Sequence, residues 1–312
     1  MTGTTRETIR DGQLVVSQSG GFDKKVFYVA HGRRRHVPCP EWLAAHQYTQ
    51  KDILRVSDDV ISALKIGPYT PMLIPAAELV TPPMDLHPFA MRAVVTAHLR
   101  GKGYEFGAGP RPIPIPVEAA VTYVDQFDYS HTVDGGSYAA FANDMSDFVE
   151  IDLIDSLDRM DNIADQSADF IIASHVIEHV RDPIGVLKNA HQKLARGGSL
   201  VLVVPDKERI FDLPRPTTTL DHLLADHLQP SRDRDFEHYL EWNRVVKRLE
   251  NYEEATREDF LANRDIHYHT FTFTSFDELV HALADQAAWS EVRGYPCRVS
   301  PEAIEFYFVL VK

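Results

Sequence analysis

The fold is decided by residues 168–206, which run ADFIIASHVIEHVRDPIGVLKNAHQKLARGGSLVLVVPD. This stretch holds two candidate strands, at residues 169–173 and 199–204, and each is apolar throughout after its first residue. Between the runs, apolar residues recur every three or four positions from Ile184 to Leu194, which is the spacing of one buried helix face. Because buried parallel strands are apolar throughout, the stretch predicts a strand, a helix and a second parallel strand.

The same alternation continues on both sides of this unit. Further apolar runs predict strands, and further periodic stretches predict helices, along residues 77–312. The predicted strands are at residues 103–106, 121–124, 148–151, 290–294 and 305–311, and the predicted helices at 86–99 and 275–288. This order predicts an α/β fold with a doubly wound, mostly parallel, Rossmann-like sheet. Residues 206–265 are rich in charge and contain no strand candidate, so we predict a helical insertion that acts as a lid.

Residues 1–76 predict a small, β-rich accessory module. Residues 14–30 alternate apolar and polar positions, and His31 and Gly32 then form a turn before residues 33–37, which predicts a hairpin. Residues 38–64 predict a short helix, a strand and a further helical turn. The proline-interrupted residues 68–83 predict a linker, so we place the boundary to the second domain, residues 77–312, near residue 76.

Composition narrows the classes of protein to consider. The chain has 312 residues, a formal net charge of −14 and only two cysteines, Cys39 and Cys297, to which we assign no role. No apolar run approaches the roughly 20 residues that cross a bilayer, and the first residues lack a secretory pattern. We therefore expect a cytoplasmic protein without a membrane span. The negative charge argues against a nucleic-acid partner.

A glycine-rich turn follows the predicted strand at 103–106. Residues 103–109 run GYEFGAG, and Asp125 comes at the end of the next predicted strand. Glycines let a ligand approach the backbone closely, and a carboxylate one strand away can accept hydrogen bonds from both hydroxyls of a ribose. The layout is typical of nucleoside binding, although an ordinary turn between a strand and a loop is the simpler alternative.

The residues after this turn argue against a dinucleotide cofactor. A dinucleotide site needs a third glycine and a helix whose N-terminus holds the pyrophosphate. Residues 110–116 instead run PRPIPIP, and proline at every second position removes amide donors and prevents a helix. The cofactor predicted here is a nucleoside without a pyrophosphate.

The chain resembles the class I S-adenosylmethionine (SAM)-dependent methyltransferases. The resemblance is carried by residues 168–180, by Asp182-Pro183 and by residues 194–206, and it extends over roughly residues 85–312. Within that family, the chain is most similar to a bacterial subgroup with a proline-broken first loop. The subgroup carries Pro-Asp-Lys after strand five, here residues 205–207, and a C-terminal His-x-His, here His267 and His269. Its members are often found beside glycan-building enzymes, and residues 24–67 resemble a small module of bacterial surface-glycan proteins.

A competing motif overlaps this segment. His175, Glu178 and His179 match an inverted zinc-protease motif, in which two histidines on a helix bind zinc and the glutamate acts as a base. That motif belongs in the middle of a helix, whereas His175 directly follows a predicted strand. We therefore favour the methyltransferase over a zinc hydrolase.

The resemblance implies SAM as the cofactor and assigns its contacts. Glu105 or the amides of the glycine turn would meet the amino-acid end, and Asp125 the ribose. Residues after strand three would lie near the adenine, with Asp152 an alternative to Asp155, and His175 would border the methyl-transfer path. The predicted cofactor-binding residues are Glu105, Gly107, Ala108, Gly109, Asp125, Asp155, Ser156, Ser174 and His175.

Catalysis would require a base when the acceptor is a hydroxyl. The chain has 15 histidines, and in an extended segment His267 and His269 would face the same side. The predicted catalytic residues are His175, His267, His269 and Asp206. If a divalent metal assists, Asp206 and the histidines are its expected ligands; otherwise these histidines line the pocket passively.

These features predict a methyltransferase that modifies carbohydrate, most simply by O-methylation of a hydroxyl of a sugar or glycosylated metabolite. Two alternatives stay open. One is N- or carboxyl-methylation of a small natural product, and the other is a non-catalytic SAM-binding or glycan-binding subunit.

Overall fold

The computed structural model describes residues 9–71, 82, 84–127, 148–287 and 289–312. Its N-terminal part is a five-stranded sheet with the strand order β4-β1-β2-β3-β5. The strands are β1 (Leu14–Ser17), β2 (Val26–Ala30), β3 (Arg33–His36), β4 (Ile53–Val56) and β5 (Lys65–Ile66), with helices at Pro40–Ala45 and Asp58–Ser62.

The predicted hairpin is the centre of this small sheet. Strands β2 and β3 pair antiparallel, and both turn residues, His31 and Gly32, have left-handed backbones with φ of +53° and +68°. Left-handed conformation at both positions is the two-residue turn that matches the twist of paired strands. The prediction of a β-rich N-terminal module is confirmed.

The second sheet has seven strands in the order β11-β12-β10-β9-β6-β7-β8. Only β12 runs antiparallel to its neighbours, β10 and β11, and the other pairs are parallel. Its strands are β6 (Gly101–Phe106), β7 (Ala119–Asp125), β8 (Leu153–Ile154), β9 (Ala168–Ser174), β10 (Leu194–Pro205), β11 (Glu291–Tyr295) and β12 (Glu305–Val311). The mostly parallel, doubly wound sheet is confirmed.

Helices cover both faces of this sheet. The helices Pro183–Lys193 and Phe273–Ala287 pack on one face, through side chains such as Leu187 and Leu279. The helix Pro88–Thr96 packs on the other, together with Ile113 and Ile115 of the proline-rich segment. Each fully buried apolar side chain contributes about 1.5–3 kcal/mol to the stability of the folded state. The apolar cores on the two faces therefore hold the sheet in place.

One strand prediction was wrong. Residues 148–151 form no strand, and the third parallel strand is the two-residue β8, which pairs with Val124 and Asp125. Phe148 and Val149 are buried for a different reason, since they pack beneath the proline-rich segment. Residues 148–151 are therefore apolar because they are buried, although they do not pair with a neighbouring strand.

The insertion between β10 and the helix Phe273–Ala287 is helical, as predicted. Its helices are Leu220–Leu228, Arg232–Glu241 and Tyr252–Leu261, and a π-helical turn, Trp242–Val246, follows the second one. The predicted linker at residues 68–83 lies largely outside the described residues. No helix in the described part of the chain is long and apolar enough to cross a membrane.

Candidate active site

A cavity of about 1250 Å³ opens at the carboxyl ends of β6, β7 and β9. In doubly wound sheets, ligands bind at this edge because the loops that follow the strands diverge there. Five predicted cofactor residues line the cavity: Gly107, Ala108, Asp125, Ser174 and His175. The other four predicted cofactor residues are not part of the cavity lining: Glu105, Gly109, Asp155 and Ser156.

The glycine turn brings the backbone to the wall of the cavity. Gly107 has a φ of +67°, and a Cβ at that position would lie 2.7 Å from Cγ2 of Val176. A side chain would therefore both strain the backbone and collide with its neighbour. The described segment from Ala108 to Glu118 contains no helix, which agrees with the prediction from its prolines.

Glu105 supports this turn from behind. The side chain is fully buried, and its Oε1 accepts a 2.8 Å hydrogen bond from the amide of Ile113 in the proline-rich segment. Burial raises the pKa of Glu105 to about 8, against the opposing effects of that amide and Arg92. Glu105 thus contacts the proline-rich loop that borders the cavity.

The carboxylates of the next two strands have different surroundings. Asp125 ends β7 and lines the cavity. Asp155 follows β8, but its carboxylate accepts hydrogen bonds from the amides of Ser156 and Asn162, so it closes its own loop. Asp152, the alternative, forms an ion pair with Arg33 of the N-terminal sheet.

These residues fit SAM. The cofactor has no phosphate, and the turn offers an open glycine backbone instead of a helix N-terminus. Gly107 and Ala108 would hold its amino-acid end, and Asp125 would accept hydrogen bonds from its ribose. When bound, SAM supplies a methyl group activated by a sulfonium.

His175 stands at the end of β9 in a strained backbone conformation. Its φ is +54°, which is uncommon for a residue other than glycine and is typical of functional sites. The ring Nε2 lies 2.8 Å from Glu305 Oε2, and Nδ1 lies 4.0 Å from Glu178 Oε1. The ring is about one third exposed, so it is reachable from the cavity.

Glu305 is an ionised carboxylate that orients this ring. Arg92 donates two hydrogen bonds to it, of 2.8 and 2.7 Å, and the hydroxyl of Tyr307 donates a third. Burial opposes ionisation, but the bonds from Arg92 and His175 outweigh it and hold the pKa of Glu305 below its usual value. The His175–Glu305 pair is therefore a histidine next to a permanent negative charge.

A second cluster, of Glu178, His179 and His267, lies beside this pair. One ligand atom from each residue falls within 4.8 Å of the others. Both oxygens of Glu178 are buried, and within the described chain no hydrogen bond reaches either of them. His179 Nε2 lies 3.8 Å from Glu178 Oε1, and the rings of His179 and His267 are 4.6 Å apart.

The other nitrogen of each histidine in this cluster is held by a carboxylate. His179 Nδ1 lies 2.7 Å from Asp265, and His267 Nδ1 lies 2.5 Å from Asp212. Burial lowers the pKa of His179, but Asp265 outweighs burial and raises it to about 9. Two histidines and a carboxylate, with the second ring nitrogens fixed in this way, are a donor set suited to a divalent ion.

The structure does not bring all predicted catalytic residues to one place. His267 belongs to the cluster just described, whereas His269 is fully buried and lies among residues of the insertion. The segment is not regularly extended, because the amides of Tyr268 and His269 both donate to the carbonyl oxygen of Glu178, at 2.8 and 3.2 Å. Asp206 caps the turn Lys207–Arg209 and is in neither group of metal-ligating residues found in the described chain.

Sequence reasoning missed Glu305, Arg92, Asp212 and Asp265. His175 and Glu305 are 130 positions apart, so spacing could not have paired them. Glu178 and His179 carried a usable signal, because this polar pair interrupts the apolar residues Val176, Ile177 and Val180.

The family model of the methyltransferase domain matches residues 90–283. No curated protein sequence matches the chain. Among solved structures, an arsenic(III) SAM methyltransferase from Chlamydomonas reinhardtii is 16% identical over 69% of this chain and 64% of that one, with a TM-score of 0.36. A SAM-dependent methyltransferase from Methanosarcina mazei is 18% identical over 73% and 98%, with a TM-score of 0.37.

A carbon methyltransferase is 15% identical over 75% of this chain and 55% of its own, with a TM-score of 0.38. The chain therefore spans less than two thirds of the arsenic and carbon methyltransferases. The family model, in contrast, covers more than half of this chain, from within the helix Pro88–Thr96 to within the helix Phe273–Ala287. The chain belongs to the methyltransferase domain family, which confirms the predicted class I SAM-dependent methyltransferase fold.

Proposed function

We propose that this chain transfers the methyl group of SAM to a hydroxyl of a sugar or of a glycosylated metabolite. The observation that carries the proposal is the His175–Glu305 pair at the cavity wall, 2.8 Å apart. A hydroxyl, unlike a neutral amine, must lose its proton as the new bond forms, so the acceptor needs a base at this point.

The pair has the parts of a general base. The carboxylate of Glu305 fixes the tautomer in which Nε2 of His175 carries the proton and Nδ1 the lone pair. Nδ1 would then accept the proton of the acceptor hydroxyl as the new carbon–oxygen bond forms. With SAM bound, the methyl–sulfur bond would break and the demethylated cofactor would leave with the electron pair on its sulfur. Glu305 stabilises the imidazolium that results, and a base placed in this way contributes a factor of about 10²–10⁴ in rate.

The lining of the cavity supports a sugar acceptor. Tyr69 and Phe89 form an edge-to-face aromatic pair, with ring centroids 5.6 Å apart, and Arg181 lies over the ring of Tyr268 at 4.9 Å. Asp265 and Glu302 add carboxylates to the same wall. Aromatic faces beside charged hydrogen-bonding groups match the apolar faces and hydroxyls of a sugar ring.

The helical insertion borders the acceptor side. The residues that follow its last helix, Ala262 to Asp265, line the cavity. We propose that this insertion closes over the acceptor and excludes water during transfer.

A divalent ion is part of this proposal. Glu178, His179 and His267 would hold it, so histidines serve as ligands as the sequence suggests, but Glu178 takes the place expected for Asp206. An ion bound there would lower the pKa of an acceptor hydroxyl that contacts it. The expected result is that a chelator slows transfer without weakening SAM binding.

The decisive experiment incubates the purified chain with isotope-labelled SAM and fractionated lysate of its source. Label in an O-methyl group of a sugar is the expected result. Label on an amine or a carboxyl group would contradict the proposed acceptor. SAM binding measured by calorimetry, without transfer to any fraction, would instead support a non-catalytic subunit.

A further inference from the structure

Four potential metal ligands converge where the insertion meets the segment that follows it, outside the lining of the cavity. Two of them lie one turn apart on the helix Leu220–Leu228, one on the helix Arg232–Glu241, and one on the segment that leads into the core helix. They are His222, Asp226, His238 and His269. None of the four lines the cavity.

The spacing within this group matches a tetrahedral ion site. Asp226 Oδ2 lies 3.0 Å from Nε2 of His222 and 3.4 Å from Nε2 of His238, and one ring nitrogen of His269 falls within 4.8 Å of the ligand atoms of the other three residues. Around a zinc ion with bonds of about 2.0–2.1 Å, tetrahedral ligand atoms are about 3.3 Å from one another. The distances from the carboxylate oxygen of Asp226 to the histidine rings are therefore close to those between the ligands of a tetrahedral zinc ion.

One buried atom of the group, Nδ1 of His269, is without a hydrogen bond in the described chain, and the side chain that carries it is fully buried. A buried polar atom that lacks a partner costs about 1–3 kcal/mol, so this atom needs an explanation. A bound cation supplies one. Oδ2 of Asp226, whose side chain is 6% exposed, already lies beside the rings of His222 and His238, where a cation would replace the protons that otherwise link them.

Hydrogen bonds from neighbouring residues orient two of these potential ligands. Arg234 donates to the other oxygen, Oδ1, of Asp226, and leaves Oδ2 directed at the three rings. His269 Nε2 lies 3.1 Å from the carbonyl oxygen of Arg181, so a proton there would leave the lone pair on Nδ1. Metal-binding histidines are usually held by such a bond from the second nitrogen.

We propose that His222, Asp226, His238 and His269 bind one Zn²⁺ ion that fastens the insertion to the methyltransferase core. Three imidazoles and one carboxylate are a borderline-soft, four-ligand set, which favours zinc over magnesium or calcium. With all four positions filled by protein, the ion is structural. The partly exposed ring of His222 provides the entry path. This site is independent of the acceptor proposed above.

Metal content tests the site directly. The full-length chain is stripped with a chelator, loaded with Zn²⁺, desalted and analysed for metal, and the same is done for Asp226→Asn and His238→Gln. The matched controls are His281→Gln, on an exposed histidine of the core helix, and Glu178→Gln, in the other cluster. We expect both controls to keep a tightly bound zinc that does not depend on Glu178, and Asp226→Asn and His238→Gln each to hold one zinc fewer per chain than the wild type.

Unfolding and spectroscopy complete the test. Zinc should raise the Tm of the wild type by several degrees and leave Asp226→Asn unchanged. Cobalt loaded into the wild type should give the strong visible absorption of a tetrahedral site, which tests the proposal even if the variants do not fold. Absence of stoichiometric zinc from Glu178→Gln, a zinc content in both insertion variants equal to that of the wild type, or only the weak absorption of octahedral cobalt in Glu178→Gln would overturn it.

Discussion

Arg35 of the N-terminal sheet donates a hydrogen bond of 2.7 Å to the carbonyl oxygen of Ala119, the first residue of β7. The same guanidinium donates to the carbonyl of Pro116 at 2.9 Å, and it is 1% exposed. Burial lowers the pKa of Arg35 to about 10, which still leaves it charged at neutral pH. The N-terminal sheet is therefore attached to the end of the proline-rich segment.

We expect Arg35→Met to destabilise the whole chain. The substitution leaves buried carbonyl oxygens without donors, which costs about 2–4 kcal/mol for bonds from a charged group. Thermal unfolding should show a Tm lower by several degrees. Arg55→Met, at an exposed position of β4, is the control and should leave the Tm nearly unchanged. Equal effects of the two substitutions would contradict this role of Arg35.

Asp125 should determine the affinity for SAM. Replacement by Asn weakens the hydrogen bonds from the ribose hydroxyls, and we expect Kd to rise by about 10- to 100-fold. Calorimetric titration of SAM into the folded variant measures this directly. Asp161→Asn, at an exposed loop position, serves as the comparison. An unchanged Kd for SAM would mean that the ribose does not contact Asp125.

His175 should control the rate of transfer. We expect His175→Ala to lower kcat by about 10²–10⁴-fold, because the base is lost, while the Kd for SAM stays within a few-fold. Glu305→Gln keeps the shape of the orienting group but removes its charge, so it should lower kcat less. If kcat survived the His175 substitution, the base would have to be another residue.

The pH dependence of stability should report on Glu105. Its folded-state pKa is raised, so its stabilising contribution is complete below the unfolded value of 4.5 and is lost as the pH rises through about 8. The free energy of unfolding should therefore fall between about pH 5 and pH 9, by about 1.4 kcal/mol for each unit of the pKa shift at most.

Glu105→Gln removes this titration and should flatten that part of the stability curve. Chemical unfolding at a series of pH values measures the difference from the wild type. Glu118→Gln, at an exposed position just before β7, should follow the wild-type curve. If stability varied with pH in Glu105→Gln as it does in the wild type, the carboxyl group of Glu105 would be ionised in the folded protein.

Much of the fold could be predicted because burial leaves a periodic signal. The strands β9 and β10 and the helix between them followed from apolar runs and helical spacing alone. The third parallel strand could not be placed, since Phe148 and Val149 are apolar for packing while the paired residues are only Leu153 and Ile154.

The site was predictable only where it is local in sequence. The turn at Gly107, the strand-end Asp125 and His175 all lie at the cavity, because strand ends of a parallel sheet meet at one edge. Partners such as Glu305 come from distant elements and leave no spacing to detect. The rings of His267 and His269 diverge because their backbone is not extended, which residue types alone do not reveal.

The carbonyl oxygen of Glu178 joins the loop after β9 to the segment after the insertion. It holds the amides of Tyr268 and His269, while the side chain of the same residue faces His179. Any movement that pulls this segment away from the loop must break both amide bonds and also separate His267 from Glu178 and His179. We therefore expect such a movement to open the cluster of Glu178, His179 and His267 in the same step.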